Sequence, residues 1–348
     1  MSRPDRVNGD NSADRTFAEV ATVAVIGCGV VGKRVARQLA ASGLVDRLIL
    51  GARRPQRLHG FVRQLIDVDV EVIAPGPLPE SDITVLTQPS GGHAELAEEA
   101  ISNGSHVVSV SEAIDDVEAL LNLDALATKA ERAVIIGAAF SPGMSCLLAR
   151  HCGQRFDEVQ EVHVARMGTG GPACQRQLHR ARTKDAIEWR DGSWAKRPGG
   201  TGRELVWFPD PLGARDCYRA ALPDPLLLAA NFSDADRITA KVSATRRDRL
   251  TAWLPMLRPP HNDGGPGAIR VEMRGTLNGV QATEVIGAID YPSAVSGALA
   301  SISAEWLLAE ALPHGAWSLG MLDDPVPWLQ ELELRGVTAA VYEGISAA

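Results

Sequence analysis

Val23-Ala24-Val25-Ile26-Gly27-Cys28-Gly29-Val30-Val31-Gly32 is the stretch on which the reading of the fold turns. Its first four residues form an uninterrupted apolar run, the pattern of a strand buried on both faces of a parallel sheet. Three glycines follow at G-x-G-x-x-G spacing. Val31, Val35 and Leu39 then recur every four residues, with Ala36 and Ala40 beside them. They draw one apolar helix face, closed by Ser42-Gly43. Strand, glycine loop and helix in that order give the spacing its meaning. Gly27 turns the chain sharply out of the strand, Gly29 lets the backbone approach a pyrophosphate, and Gly32 lets the helix pack closely on the strand. Cys28, Val30 and Val31 complete the candidate cofactor-binding loop, whose unpaired N–H groups and positive helix end suit phosphate.

The second strand, Leu48-Ile49-Leu50, bears on which dinucleotide is bound. NAD-binding domains usually carry an acid near its end, about 20 residues beyond the glycines, for the ribose hydroxyls. Here that end reads Gly51-Ala52-Arg53-Arg54. An arginine pairs with a 2′-phosphate that a carboxylate would repel. The expected cofactor is therefore NADP(H), held by Arg53 first and Arg54 second. Asp46 precedes the strand and sits at the wrong end.

Farther along, strands and helices alternate. A helix is predicted over 55–66 and a half-exposed edge strand over 68–72. A buried strand over 83–86 precedes a helix over 93–103. A strand over 106–110, a helix over 116–132 and a strand over 133–136 follow. This is the rhythm of βαβ units: an α/β, Rossmann-type doubly wound parallel sheet. Ligands in such sheets bind beyond the carboxyl ends of the strands. Gln88 and Pro89, after the fourth strand, and Ser111 and Glu112, after the fifth, are predicted to line the nicotinamide pocket, with His93 opening the helix nearby.

Beyond residue 141 the pattern changes to a second α+β domain containing an antiparallel sheet. Strands are predicted over 159–167 and 237–244. Asp191-Gly192 and Asn278-Gly279 are two-residue hairpin signals, the first of which sets Trp189 opposite Trp194. Trp207, Phe208 and Trp253 read as core or interface residues. Met167-Gly168-Thr169-Gly170-Gly171-Pro172-Ala173-Cys174 precedes a helix over 175–182. Glycines before a helix N-terminus form a nest suited to a substrate carboxylate. Gly170, Gly171, Arg176 and Arg246 are thus substrate-binding candidates. His179 and Cys174 are candidates for handling a proton. Further helices are predicted over 293–312 and 325–334. The expected layout is a disordered tail over 1–19, a dinucleotide-binding domain over 20–140 and a substrate and dimerisation domain over 141–292. C-terminal helices over 293–348 complete it.

Three motifs together resemble the saccharopine dehydrogenase-like NAD(P)-dependent reductases. They are the glycine loop, Gly51-Ala52-Arg53-Arg54, and Gly137-Ala138-Ala139-Phe140-Ser141-Pro142-Gly143-Met144. The last is similar to the family's G-x-x-P-G crossing between domains, with one additional residue. Glu333-Leu334-Arg335-Gly336-Val337 looks like the family's ending. The resemblance implies C-terminal helices that return to the nucleotide domain, and hydride transfer at a C–N bond of an amino-acid-like substrate. Two departures stand out. His106-Val107-Val108-Ser109 lacks the family's Tyr and Asp. Ser111-Glu112-Ala113 keeps the Glu but not the Lys of the glucose–fructose oxidoreductase group.

Composition narrows the remaining classes. The 348 residues are 45% hydrophobic and 22% charged, with a net charge of −8. No block of like charge points to nucleic acid or an anionic membrane, and no apolar run has membrane-spanning length. The start of the chain lacks the apolar core of a signal peptide. Five scattered cysteines form no C-x-x-C pair. That pattern suits a reducing cytoplasm and no metal site. The expected function is an NADPH-dependent oxidoreductase acting on a small amino-acid-like, imine or aldehyde substrate, in a homodimer. The alternatives are a non-catalytic NADP-binding sensor or partner protein, and a sugar or polyol dehydrogenase.

Overall fold

The computed structural model describes residues 21–256 and 261–342. The tail expected over 1–19 lies outside them. Seven parallel strands form the first sheet: β1 (Thr22–Ile26), β2 (Arg47–Gly51), β3 (Asp69–Ile73), β4 (Ile83–Leu86), β5 (His106–Ser109), β6 (Ala133–Ile136) and, from far along the chain, β15 (Gly315–Ser318). Their order is β15-β6-β5-β4-β1-β2-β3. The order reverses between β1 and β4, the place where open α/β sheets bind ligands. The continuous apolar runs are the central strands, and β3, whose apolar residues alternate with acids, is an edge.

Helices α1 (Val30–Ser42), α2 (His59–Val62), α3 (His93–Ser102), α4 (Ile114–Leu121) and α5 (Asp124–Lys129) connect these strands. Two predictions are corrected here. The helix expected over 55–66 shrinks to a 3₁₀ turn, Pro55–Leu58, followed by α2. The helix expected over 116–132 begins earlier and breaks into α4 and α5, with Asn122 and Leu123 between them.

The second sheet has nine strands, of which seven run in the order β10-β11-β12-β7-β13-β14-β16; β8 pairs with β12 and β9. These are β7 (Glu158–Met167), β8 (Ala186–Arg190), β9 (Ser193–Arg197), β10 (Glu204–Phe208), β11 (Gly213–Arg219), β12 (Arg237–Ser243), β13 (Gly267–Leu277), β14 (Val280–Asp290) and β16 (Thr338–Tyr342). The sheet is mixed rather than wholly antiparallel. β7 and β12 run parallel, because the long connection between them returns the chain in the same direction. Both hairpins occur at the predicted turns, with Trp189 opposite Trp194 and ring centroids 5.0 Å apart. Phe208 is buried, whereas Trp207 and Trp253 are exposed.

Helices α6 (Met144–Gly153), α7 (Pro172–Ala181), α8 (Asp224–Ala229), α9 (Arg246–Leu250), α10 (Pro292–Leu308) and α11 (Val326–Leu334) complete the described elements. α10 lies along α1: a side chain at Gly297 would meet Arg34, and Ser301 bonds Gln38. Residue numbers rise together in these contacts, so the two helices run parallel. Arg335 ties the end of α11 to Glu305 of α10 at 2.6 Å. β15 joins the first sheet beside β6 and β16 joins the second beside β14, so the last segment touches both sheets.

Candidate functional site

The glycine loop leaves β1 at the order reversal. Gly27 has φ +104°, and a Cβ there would stand 2.3 Å from the Gln88 backbone nitrogen. No larger residue fits that approach of β1 to the end of β4. Gln88 brings a second feature: both polar atoms of its side-chain amide are buried and have no hydrogen-bond partner. Unpartnered buried polar atoms cost free energy. They fit a polar ligand against the loop better than an empty cleft.

A buried relay holds Gln88. His93 Nε2 lies 3.2 Å from the Gln88 carbonyl, which only accepts, so this nitrogen carries the proton. Ser109 Oγ–H then donates to His93 Nδ1 at 2.9 Å, and the Ser111 N–H donates to Ser109 Oγ. Burial lowers the His93 pKa and keeps the ring neutral. Asp116 accepts from Ser111 Oγ at 2.6 Å and from the Gly91 N–H at 2.8 Å. The loops after β4 and β5 are thereby locked together. Pro89 is exposed beside them. Cys28 donates weakly to the Val25 carbonyl, and burial pushes its thiol up to about 12. Arg53 and Arg54 stand exposed past β2; the Arg54 carbonyl accepts from the Arg57 N–H, and neither side chain bonds another described residue.

Glu112 reaches across to the second sheet. Its carboxylate pairs with Arg166 at 3.1 Å and accepts from the Cys174 thiol at 3.1 Å. Arg166 is fully buried, donates to the Ser141 carbonyl at 2.7 Å and lies over the Phe140 ring. Burial disfavours its cation, but the Glu112 charge leads the interactions that more than offset this. Burial, then the Glu112 charge, pushes the Cys174 thiol up to about 12. Cys174 is thus a neutral donor, not a thiolate nucleophile. Beside them Asp224 accepts from Ser145 at 2.5 Å and Ser141 at 2.8 Å, while its other oxygen has no partner. Its burial raises its pKa.

Sequence reading named Glu112 and Cys174 separately and missed Arg166 and Asp224. Arg166 was legible in principle: it shares the inward face of β7 with Val162 and Val164. Asp224 gave no local signal, because its partners lie about eighty positions away. The remaining candidates scatter. A Cβ on Gly171 would lie 3.1 Å from Val30, so the nest does reach the glycine loop. His179 bonds the Leu254 carbonyl at 2.8 Å, five positions beyond Cys174 and round the helix from it. Arg176 is exposed on α7 and Arg246 at the start of α9. The structure does not bring these three to the Glu112 cluster. Among the described residues no group of His, Cys, Asp or Glu is arranged to hold a metal, and no helix is long and apolar enough to cross a membrane.

The family described as "NADP oxidoreductase coenzyme F420-dependent" matches residues 22–113, from the start of β1 to the residue before α4. Saccharopine dehydrogenase (L-Glu forming) from Saccharomyces cerevisiae is a similar solved structure. Its TM-score is 0.68 at 14% identity, with 93% of this chain and all of that chain covered. The chain has the saccharopine dehydrogenase fold. DAP dehydrogenase from C. glutamicum, in complex with DAP, is also similar, with a TM-score of 0.50 at 14% identity over 91% of this chain and 99% of that chain. A comparison with curated proteins gives no match. The resemblance read from the motifs is thus supported at the level of the fold, in both its Rossmann and its mixed-sheet parts.

Proposed function

We propose that the chain is an NADPH-dependent oxidoreductase acting on a small amino-acid-like substrate with an imine or aldehyde carbon. The observation that carries this is the unpartnered Gln88 amide, buried against a glycine loop that tolerates no side chain, at the point where strand order reverses. Residues 27–32 would hold the pyrophosphate, Arg53 and Arg54 the 2′-phosphate, and Gln88, Pro89, Ser111 and Glu112 the nicotinamide end. The bound cofactor supplies the hydride. The protein positions the partners: Arg166 and Cys174 fix the Glu112 carboxylate, and the His93 relay fixes Gln88. The match to an NADP oxidoreductase family and the likeness to saccharopine dehydrogenase and DAP dehydrogenase support this chemistry over sugar or polyol oxidation. Lacking a lysine after Glu112, the chain also lacks the acid/base group the sugar enzymes would imply.

Cofactor fluorescence titrations test the proposal. NADPH should bind at least tenfold tighter than NADH, and Arg53→Ala should close the gap, about 1.4 kcal/mol. Equal binding of the two cofactors overturns the NADP preference, and binding of neither overturns the cofactor reading. The five free cysteines suit a reducing cytoplasm. Leu205 and Trp207, exposed together on one face of β10, favour a homodimer, which sedimentation would reveal as twice the chain mass.

A further inference from the structure

Three helices aim their N-termini at one place. α1 begins at Val30, α7 follows Gly171, and α10 begins at Pro292-Ser293. The dipeptide Gly170-Gly171 joins all three. A Cβ on Gly170 would stand 3.5 Å from the Ser293 nitrogen, and one on Gly171 would stand 3.1 Å from Val30. α1 and α10 are parallel neighbours, so their positive ends lie side by side rather than cancelling. None of the three helices has a side-chain cap or an acid in its first turn. Pro172 and Pro292 each remove one N–H from the first turns of α7 and α10, but no side chain offsets the positive end of any of the three helices.

One observation at this place points directly to a ligand. Ser293 is fully buried in the first turn of α10, and its hydroxyl has no hydrogen-bond partner. A buried hydroxyl without a partner is costly. The Ser293 backbone lies against Gly170, at the head of α10 and just before the start of α7. An anionic oxygen there would accept from the Ser293 hydroxyl while neutralising the convergent dipoles.

We propose that the N-termini of α7 and α10, with the Ser293 hydroxyl and the Gly170-Gly171 backbone, form an anion subsite beside the glycine loop. Its ligand is a carboxylate or phosphate group. Two sources share that chemistry: the diphosphate of the cofactor, reached from the second domain, and a carboxylate of the substrate. The inference rests on reading the cleft as a dinucleotide and substrate site.

The test substitutes Ser293→Asp, which places a fixed carboxylate in the subsite, and Ser293→Ala, which removes only the hydroxyl. Thermal unfolding of the full-length, cofactor-free chain is followed with inorganic pyrophosphate and, separately, with succinate. In the wild type at least one of these ions should raise the midpoint by several degrees. Ser293→Ala should reduce that rise, and Ser293→Asp should abolish it. NADPH titrations identify the source. At least a tenfold loss of NADPH affinity in Ser293→Asp assigns the subsite to the cofactor diphosphate. Unchanged NADPH affinity with loss of the succinate effect assigns it to a substrate carboxylate. If neither ion shifts the wild type, or if both shift a folded Ser293→Asp variant equally well, the subsite is refuted. The ion measurements need no cofactor, so a wild type that fails to bind NADPH while keeping its anion response separates failure of the functional reading from failure of the subsite.

Discussion

Replacing Glu112 by Gln keeps its shape and removes its charge. Arg166 would then be a fully buried guanidinium stripped of its one carboxylate partner at 3.1 Å. Removing one member of a buried pair typically costs about 3–5 kcal/mol, because the other charge remains without compensation. The Ser141 carbonyl still accepts from Arg166, and Asp224 lies close enough to influence its charge. The lower end of the range, about 3 kcal/mol, is therefore expected. At roughly 2–4 °C per kcal/mol for a large domain, Glu112→Gln should lower the unfolding midpoint by roughly 6–12 °C. Urea denaturation monitored by tryptophan fluorescence gives the free energy directly. Adding Arg166→Met should restore much of the loss, because an apolar residue of similar length leaves no orphaned charge. Two results would refute the reasoning: a Glu112→Gln variant as stable as the wild type, or a double variant less stable than Glu112→Gln alone.

Other outcomes follow from the same geometry. Gly27→Ala forces a Cβ to within 2.3 Å of the Gln88 nitrogen at a φ of +104°, so NADPH titration should show at least a tenfold loss of affinity if the variant folds, and expression without soluble protein if it does not. Asp224 has a raised pKa in the fold. Between its unfolded and folded values the native state holds a proton that the unfolded chain has released, so this residue's contribution to stability is full below about pH 4 and declines as pH rises from there. Asp224→Asn should remove that decline from a urea-stability profile against pH, and an unchanged profile would show that Asp224 does not titrate differently on folding. Burial pushes all five thiols up to about 12. A disulfide reagent at pH 8 should label none of them in the native protein within minutes and all five in denaturant; rapid native labelling of Cys174 would contradict its role as a neutral donor to Glu112.

What the sequence determined by itself was local. The run from Val23 to Gly32 specified strand, loop and helix, because burial on both faces, phosphate approach and helix packing each leave a mark within ten residues. Alternation of strands and helices specified the parallel sheet, Asp191-Gly192 specified a hairpin with its register, and Asn278-Gly279 specified a second hairpin. The helix over 116–132 was read too long, because its apolar spacing carries no sign of the break at Asn122 and Leu123. What only the tertiary structure decided was which distant residues share a site. Glu112, Arg166 and Cys174 come from three different elements, and Asp224 meets Ser141 and Ser145 from about eighty positions away. Ser293 reaches Gly170 across more than a hundred residues. Burial of a charge or a hydroxyl is a property of what packs around it. No spacing along the chain records that surrounding, so Arg166, Asp224 and Ser293 stayed silent in the sequence, and Glu112 and Cys174 were legible only separately, while the glycine loop declared itself.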